Sequence, residues 1–82
     1  MQITFKLFAT LMPYLPSGAV KNSVGIEIEP DTTVQGLIDQ YRLPEKEVHL
    51  VLLNGIYVTE EDRSKTLSEG DTLAIWPPVA GG

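Results

Sequence analysis

A chain of 82 residues, 43% apolar and 21% charged, has material for one small hydrophobic core and the make-up of an ordinary globular domain. Its net charge of -5, with six Lys and Arg scattered along it, argues against nucleic acid as a partner, because binding phosphates takes a basic stripe. The lack of cysteine excludes disulfides, thiolate metal sites and a cysteine nucleophile, and the lone His49 leaves little room for a metal cluster or a Ser-His-Asp arrangement.

Gln2 to Phe8 alternates, with Ile3, Phe5 and Leu7 on one face and Thr4 and Lys6 on the other, which predicts a half-buried strand. The same alternation at the N-terminus is unlike a signal peptide, and the apolar runs are far too short for a membrane span, so the expected location is cytoplasmic, with no membrane partner. Ala9 to Ser23 holds Pro13, Pro16, Ser17, Gly18 and Asn22 and reads as a hairpin loop, part of which packs down through Leu11, Met12, Tyr14 and Leu15. Val24 to Glu29 alternates again and stops at Pro30. It is the second strand.

After Asp31-Thr32-Thr33, a run of capping candidates, the apolar period changes: Val34, Leu37, Ile38 and Tyr41 form the stripe of an amphipathic helix. Gly36 within it costs about 1 kcal/mol of helix propensity relative to alanine, which a close approach of the helix to the sheet would explain. Pro44 ends the segment, and Glu45-Lys46-Glu47 is a solvated turn. Val48 to Leu53 is a third strand, Asn54-Gly55 is a strong type I′ hairpin signal, and Ile56 to Val58 is a short fourth strand. Thr59 to Ser68 is charged and irregular, anchored by Leu67. A turn at Glu69-Gly70-Asp71 leads into the last strand, Thr72 to Trp76.

The order strand, strand, helix, strand, strand, strand describes an α+β fold of the β-grasp, or ubiquitin-like, kind: a mixed sheet of about five strands with one main helix on one face. A split βαβ arrangement would need a second helix, and Thr59 to Ser68 lacks the periodicity for one. The expected division is a β-grasp domain over residues 1–76 and a flexible tail over 77–82.

Few side chains suggest chemistry. His49 lies on a strand between apolar neighbours with no visible triad, so a surface or edge role is the simpler reading. Glu60, Glu61 and Asp62 form a solvated run. Glu27 and Glu29 share a strand face and keep it wet, or meet a basic partner. Strand three is apolar on both faces, with Val48, Leu50 and Leu52 on one and Val51 and Leu53 beside His49 on the other. One set must therefore lie on the open face near Phe8, Ala74 and Trp76. Phe8, Val51, Leu53 and Trp76 are the candidate docking surface, since a contiguous apolar patch of this kind marks an interface.

The end of the chain, Pro77-Pro78-Val79-Ala80-Gly81-Gly82, is the more informative stretch. Two prolines hold it extended and remove a backbone donor at each position, so it should project, with a reach of roughly 20 Å. The glycines carry no Cβ and could enter a channel that excludes larger residues. A plain disordered terminus or a cloning scar would look similar on Gly-Gly alone.

Taken together, Lys6-Leu7-Phe8-Ala9-Thr10-Leu11, Leu53-Asn54-Gly55, Glu69-Gly70-Asp71 and the Pro-Pro-Val-Ala-Gly-Gly ending resemble the MoaD/ThiS family of ubiquitin-like sulfur carriers over the whole chain. The resemblance implies that the terminal carboxylate is activated with ATP by an adenylating enzyme related to ubiquitin-activating enzymes. Sulfur from a donor protein then gives a C-terminal thiocarboxylate. Gly82 would hold the sulfur, Gly81, Ala80, Val79, Pro78 and Pro77 would thread and stiffen the approach, and the chain itself would bind no cofactor and no metal. Such a carrier has no catalytic side chains of its own, so whether it counts as an enzyme is open.

The ending is similar to the molybdopterin synthase small subunit, which implies a larger catalytic subunit as partner and sulfur insertion for molybdenum or tungsten cofactor. The helical region and the Leu-Asn-Gly hairpin resemble the thiamin-thiazole branch as well. Two further readings stay open: a ubiquitin-like modifier joined through Gly82 to lysines, and a plain interaction domain.

Overall fold

The computed structural model describes residues 1–79. The period-two stretches fold as strands, β1 Gln2–Leu7, β2 Ser23–Glu27, β3 Leu50–Leu53, β4 Ile56–Tyr57 and β5 Thr72–Trp76, and the helical stripe becomes α1, Val34–Gln40. Short 3-10 turns at Ala9–Tyr14, Glu45–Glu47 and Glu61–Ser64 fill the connections. The strands make one five-stranded sheet in the order β2-β1-β5-β3-β4. Its central pair, β1 and β5, is parallel, with Phe5 opposite Leu73 and Leu7 opposite Ile75, and the other pairings are antiparallel. This is the mixed sheet with one main helix that the sequence predicts.

Alternation decides what the sheet buries. Ile3, Phe5 and Leu7 of β1, Leu73 and Ile75 of β5 and Val51 of β3 join Val34, Leu37 and Ile38 of α1 in one core. Leu11, fully buried, pins the first 3-10 turn beneath it, and Leu67 anchors the charged segment as expected. Tyr41 caps α1 rather than extending it, and its ring lies 5.1 Å from that of Phe5.

Of the three capping candidates, Thr33 is used: its Oγ1 accepts from the Gly36 N–H at 2.9 Å. The expected reason for Gly36 is corrected here. A Cβ at that position would meet Thr33 Oγ1 at 3.2 Å, so the crowding comes from the cap hydroxyl and not from the sheet. The other end of α1 closes as a Schellman motif, with Leu43 N–H donating to Ile38 O at 3.0 Å and Arg42 N–H to Asp39 O at 3.1 Å. That motif puts Arg42 at φ 56, a left-handed position where glycine is the usual residue.

Candidate functional site

β5 runs up the middle of the sheet, held on both sides, and delivers the chain to its last described residues. Near its end the Phe8 N–H donates to Ile75 O at 3.2 Å from the β1 side, and the His49 N–H donates to Trp76 O at 3.1 Å from the β3 side. Pro77 is buried in the body, while Pro78 and Val79 are exposed, Val79 to 79%. Burial thus extends one residue into the segment expected as tail. Ala80, Gly81 and Gly82, expected to carry the reactive end, lie outside the described residues.

At the root of this tail the rings of Phe8 and Trp76 stack, with centroids 4.0 Å apart and planes 6° from parallel. The pairing joins the end of β1 to the end of β5, and both side chains are half-buried. Leu50 faces Trp76 and Leu52 faces Ala74 in the β3–β5 register. Residues paired across an antiparallel ladder share a face, so Leu50, Leu52, Ala74 and Trp76 line the side of the sheet away from the helix. Leu50 is 37% exposed there.

The expected docking set needs one correction. Val51 is completely buried and Leu53 packs against the core, both on the helix side. Register is the cause: Val51 pairs with Ile75 and Leu53 with Leu73, the inward residues of β5. A strand apolar on both faces does not reveal which set turns inward. Phe8 and Trp76 do lie together on the outer surface, and Leu50 and Leu52 take the places expected of Val51 and Leu53.

The remaining candidates scatter. His49 is exposed beside the tail root, without a side-chain partner among the described residues. Glu60 and Glu61 are solvated, and Asp62 makes a 3.7 Å ion pair with Lys65. The Glu27 carboxylate accepts from the Met1 amino group at 2.5 Å and from Gln2 Nε2 at 2.6 Å, closing the β1–β2 edge. The hydrogen bond from the Met1 amine, followed by that from Gln2, holds the Glu27 carboxyl below the usual carboxylate range. The same Glu27 bond raises the pKa of the amine.

One residue escapes sequence reasoning. Arg63, in the irregular charged segment, is only 9% exposed, and its Nε has no hydrogen-bond partner. No periodicity surrounds it to signal burial. A crevice of about 240 Å³ lies between the β3–β4 hairpin and the Asp62–Lys65 turn, lined by Val34, Leu53, Ile56, Tyr57 and Val58. It sits at the opposite end of β3 from the tail. Among the described residues there is no cluster of His, Asp and Glu placed to hold a metal, and no helix long and apolar enough to cross a membrane.

Against known proteins, a family model described as the ThiS family matches residues 5–82. SAMP1 from Haloferax volcanii shares 26% identity over all of both chains with a TM-score of 0.68. The HVO 2177 protein of the same organism is 30% identical, covering all of this chain and 87% of that one, with a TM-score of 0.68. Subunit 1 in the complex of subunits 1 and 2 of the molybdopterin-converting factor from Helicobacter pylori aligns over the full length of both chains at 21% identity and a TM-score of 0.62. The last of these shows likeness of fold. No curated protein matches the chain in sequence.

Proposed function

The chain belongs to the ThiS family, with the ubiquitin-like sulfur-carrier fold, and from that premise we propose that it carries sulfur as a thiocarboxylate on Gly82. One observation carries the reading: the family match runs through Gly82, and β5 leads through a buried proline to an exposed one just before it. A carboxylate is a poor electrophile, so it must first gain a leaving group. On an adenylating partner, a Gly82 carboxylate oxygen attacks the α-phosphorus of ATP and pyrophosphate leaves. Hydrosulfide supplied by a sulfur donor then attacks the acyl carbon, AMP leaves with the electrons of the C–O bond, and the sulfur loses its proton to solvent. The product is a sulfur nucleophile made without any side chain, which suits a chain that has no cysteine.

We assign the sulfur to the dithiolene of a pterin precursor for molybdenum or tungsten cofactor, with a larger catalytic subunit seated on the Phe8 and Trp76 face. The support is the Pro-Pro-Val-Ala-Gly-Gly ending and the full-length likeness to a converting-factor subunit that was solved with its own subunit 2. Thiamin-thiazole synthesis is the alternative destination, favoured by the description of the matching family model. Protein modification through an isopeptide bond at Gly82 is a second reading, favoured by the full-length likeness to SAMP1.

The deciding experiment is the intact mass of the protein from its own organism, with the C-terminal peptide sequenced in the same run. Sulfur in place of oxygen at Gly82 is the expected result. Gly82 joined to lysines of other proteins would make the chain a modifier. A free carboxylate that persists with ATP, a sulfur donor and the host's adenylating enzyme sinks both.

A further inference from the structure

Successive residues of a strand turn their backbone groups to opposite neighbours, and in β5 the assignment is explicit. Asp71 O and Ile75 O accept from Thr4 and Phe8 of the β1 side, at 2.8 and 3.2 Å. Thr72 O and Trp76 O accept from Asn54 and His49 of the β3 side, at 2.8 and 3.1 Å. Odd positions face β1 and even positions face β3. Continued by two residues, the pattern turns position 77 toward β1 and position 78 toward β3, and both are proline.

The two neighbours end differently. On the β1 side the chain swings away at Ala9, φ 53, and the Phe8 carbonyl already accepts from the Leu11 N–H at 3.0 Å. An N–H at position 77 would thus be buried and would have to share the Phe8 carbonyl with the Leu11 N–H. On the β3 side the chain is still alongside at Trp76, through the His49 bond. Before His49 that side runs through the extended Val48 into the 3-10 turn Glu45–Glu47, and by the same alternation an N–H at exposed position 78 would face the backbone at Glu47, whose carbonyl accepts no backbone hydrogen bond from the described residues.

We propose that the two prolines have separate roles: Pro77 seals the body, where a buried donor would have to share its acceptor, and Pro78 keeps the tail from pairing with the chain that leads into β3. Pro78 is then a positioning residue for the carboxylate, acting through its missing N–H rather than through ring stiffness. This deepens the carrier reading and rests on it for its kinetic consequence alone.

The test compares full chains carrying Pro77→Ala, Pro78→Ala and, by chemical synthesis, N-methylalanine at position 78, which lacks the ring and also lacks the donor. In Pro78→Ala the new amide at 78 should exchange about fivefold more slowly than an open-chain amide, the protection one hydrogen bond of ordinary net strength supports. Thiocarboxylate formation should slow by a comparable factor. N-methylalanine should restore the wild-type rate. Pro77→Ala should lower the unfolding midpoint and leave the tail as reactive as wild type. Open-chain exchange at 78, or an N-methylalanine chain no more reactive than Pro78→Ala, overturns the proposal. Should the wild-type chain accept no sulfur at all, the carrier reading fails, and amide exchange at 78 still decides whether Pro78 acts as a release.

Discussion

Asn54, at the tip of the β3–β4 hairpin, hydrogen-bonds Asp71, at the turn that launches β5: Asn54 Nδ2 donates to Asp71 Oδ1 at 2.9 Å. Asn54 Oδ1 accepts from the Thr72 N–H at 2.8 Å, and Asp71 Oδ2 accepts from the Ser68 N–H at 2.7 Å. Two motifs that are separate in the sequence, Asn54-Gly55 and Glu69-Gly70-Asp71, are one latch in space. Asn54 also sits at φ 52, beside Gly55 at φ 82, so a single residue serves both the type I′ turn and the latch.

Asn54→Gly keeps the backbone conformation and removes the latch, and it should cost about 1 to 2 kcal/mol by urea denaturation. Asn54→Ala adds the penalty of a Cβ at positive φ and should cost about 1 kcal/mol more. If Asn54→Gly and Asp71→Ala destabilise additively in a double-mutant cycle, the Asn54–Asp71 hydrogen bond contributes nothing.

Arg42→Gly should raise stability by about 0.5 to 1 kcal/mol, because the position after the helix cap is left-handed and glycine adopts it without a Cβ clash. A thermal melt reads the change directly. Unchanged or lower stability would show that the Arg42 side chain offsets the strain.

The corrected sheet faces separate stability from binding. Val51→Ala should destabilise by about 1 to 3 kcal/mol through a core cavity and leave partner affinity unaltered once folded. If the proposed larger catalytic subunit seats on this face, Trp76→Ala should weaken its binding about tenfold or more, as loss of an aromatic anchor does at an interface. Isothermal titration beside a denaturation curve distinguishes them. Equal affinity in Trp76→Ala would remove the stacked pair from the docking face.

Stability should depend on pH through Glu27 and the Met1 amine. Because the folded-state pKa of Glu27 is lowered, its contribution is present above the unfolded carboxylate value and is lost as pH falls through the folded one. The amine pKa is raised from 8.0, so its contribution is complete below that value and fades as pH rises through the folded one. Glu27→Gln should flatten both limbs. Both groups are exposed, so added salt should shrink the effect, and a pH profile identical to that of Glu27→Gln would refute the link.

The helix Val34–Gln40, the five strands and the hairpin tip were all legible, because each rests on a local signal: a period of 3.6 or 2, a cap, a proline or a positive-φ pair. The family was legible for the same reason, since its motifs sit at turns and at the end of the chain. Arg42 and Arg63 were not. One occupies a glycine position and the other is a buried charge in a segment with no period, and neither residue type announces such a place.

By itself, then, the sequence determined which segments are strands, helix and turns and that two prolines follow the last strand, because periodicity, turn chemistry and proline act within a few residues. Tertiary structure alone decided which face of β3 turns inward, that Asn54 latches onto Asp71, and that Pro77 is buried while Pro78 is exposed. Those depend on register. A strand apolar on both faces leaves register to its partners, and the pairing of Val51 with Ile75 sets Val51 in the core and leaves the outer face to Leu50, Leu52 and the Phe8–Trp76 stack.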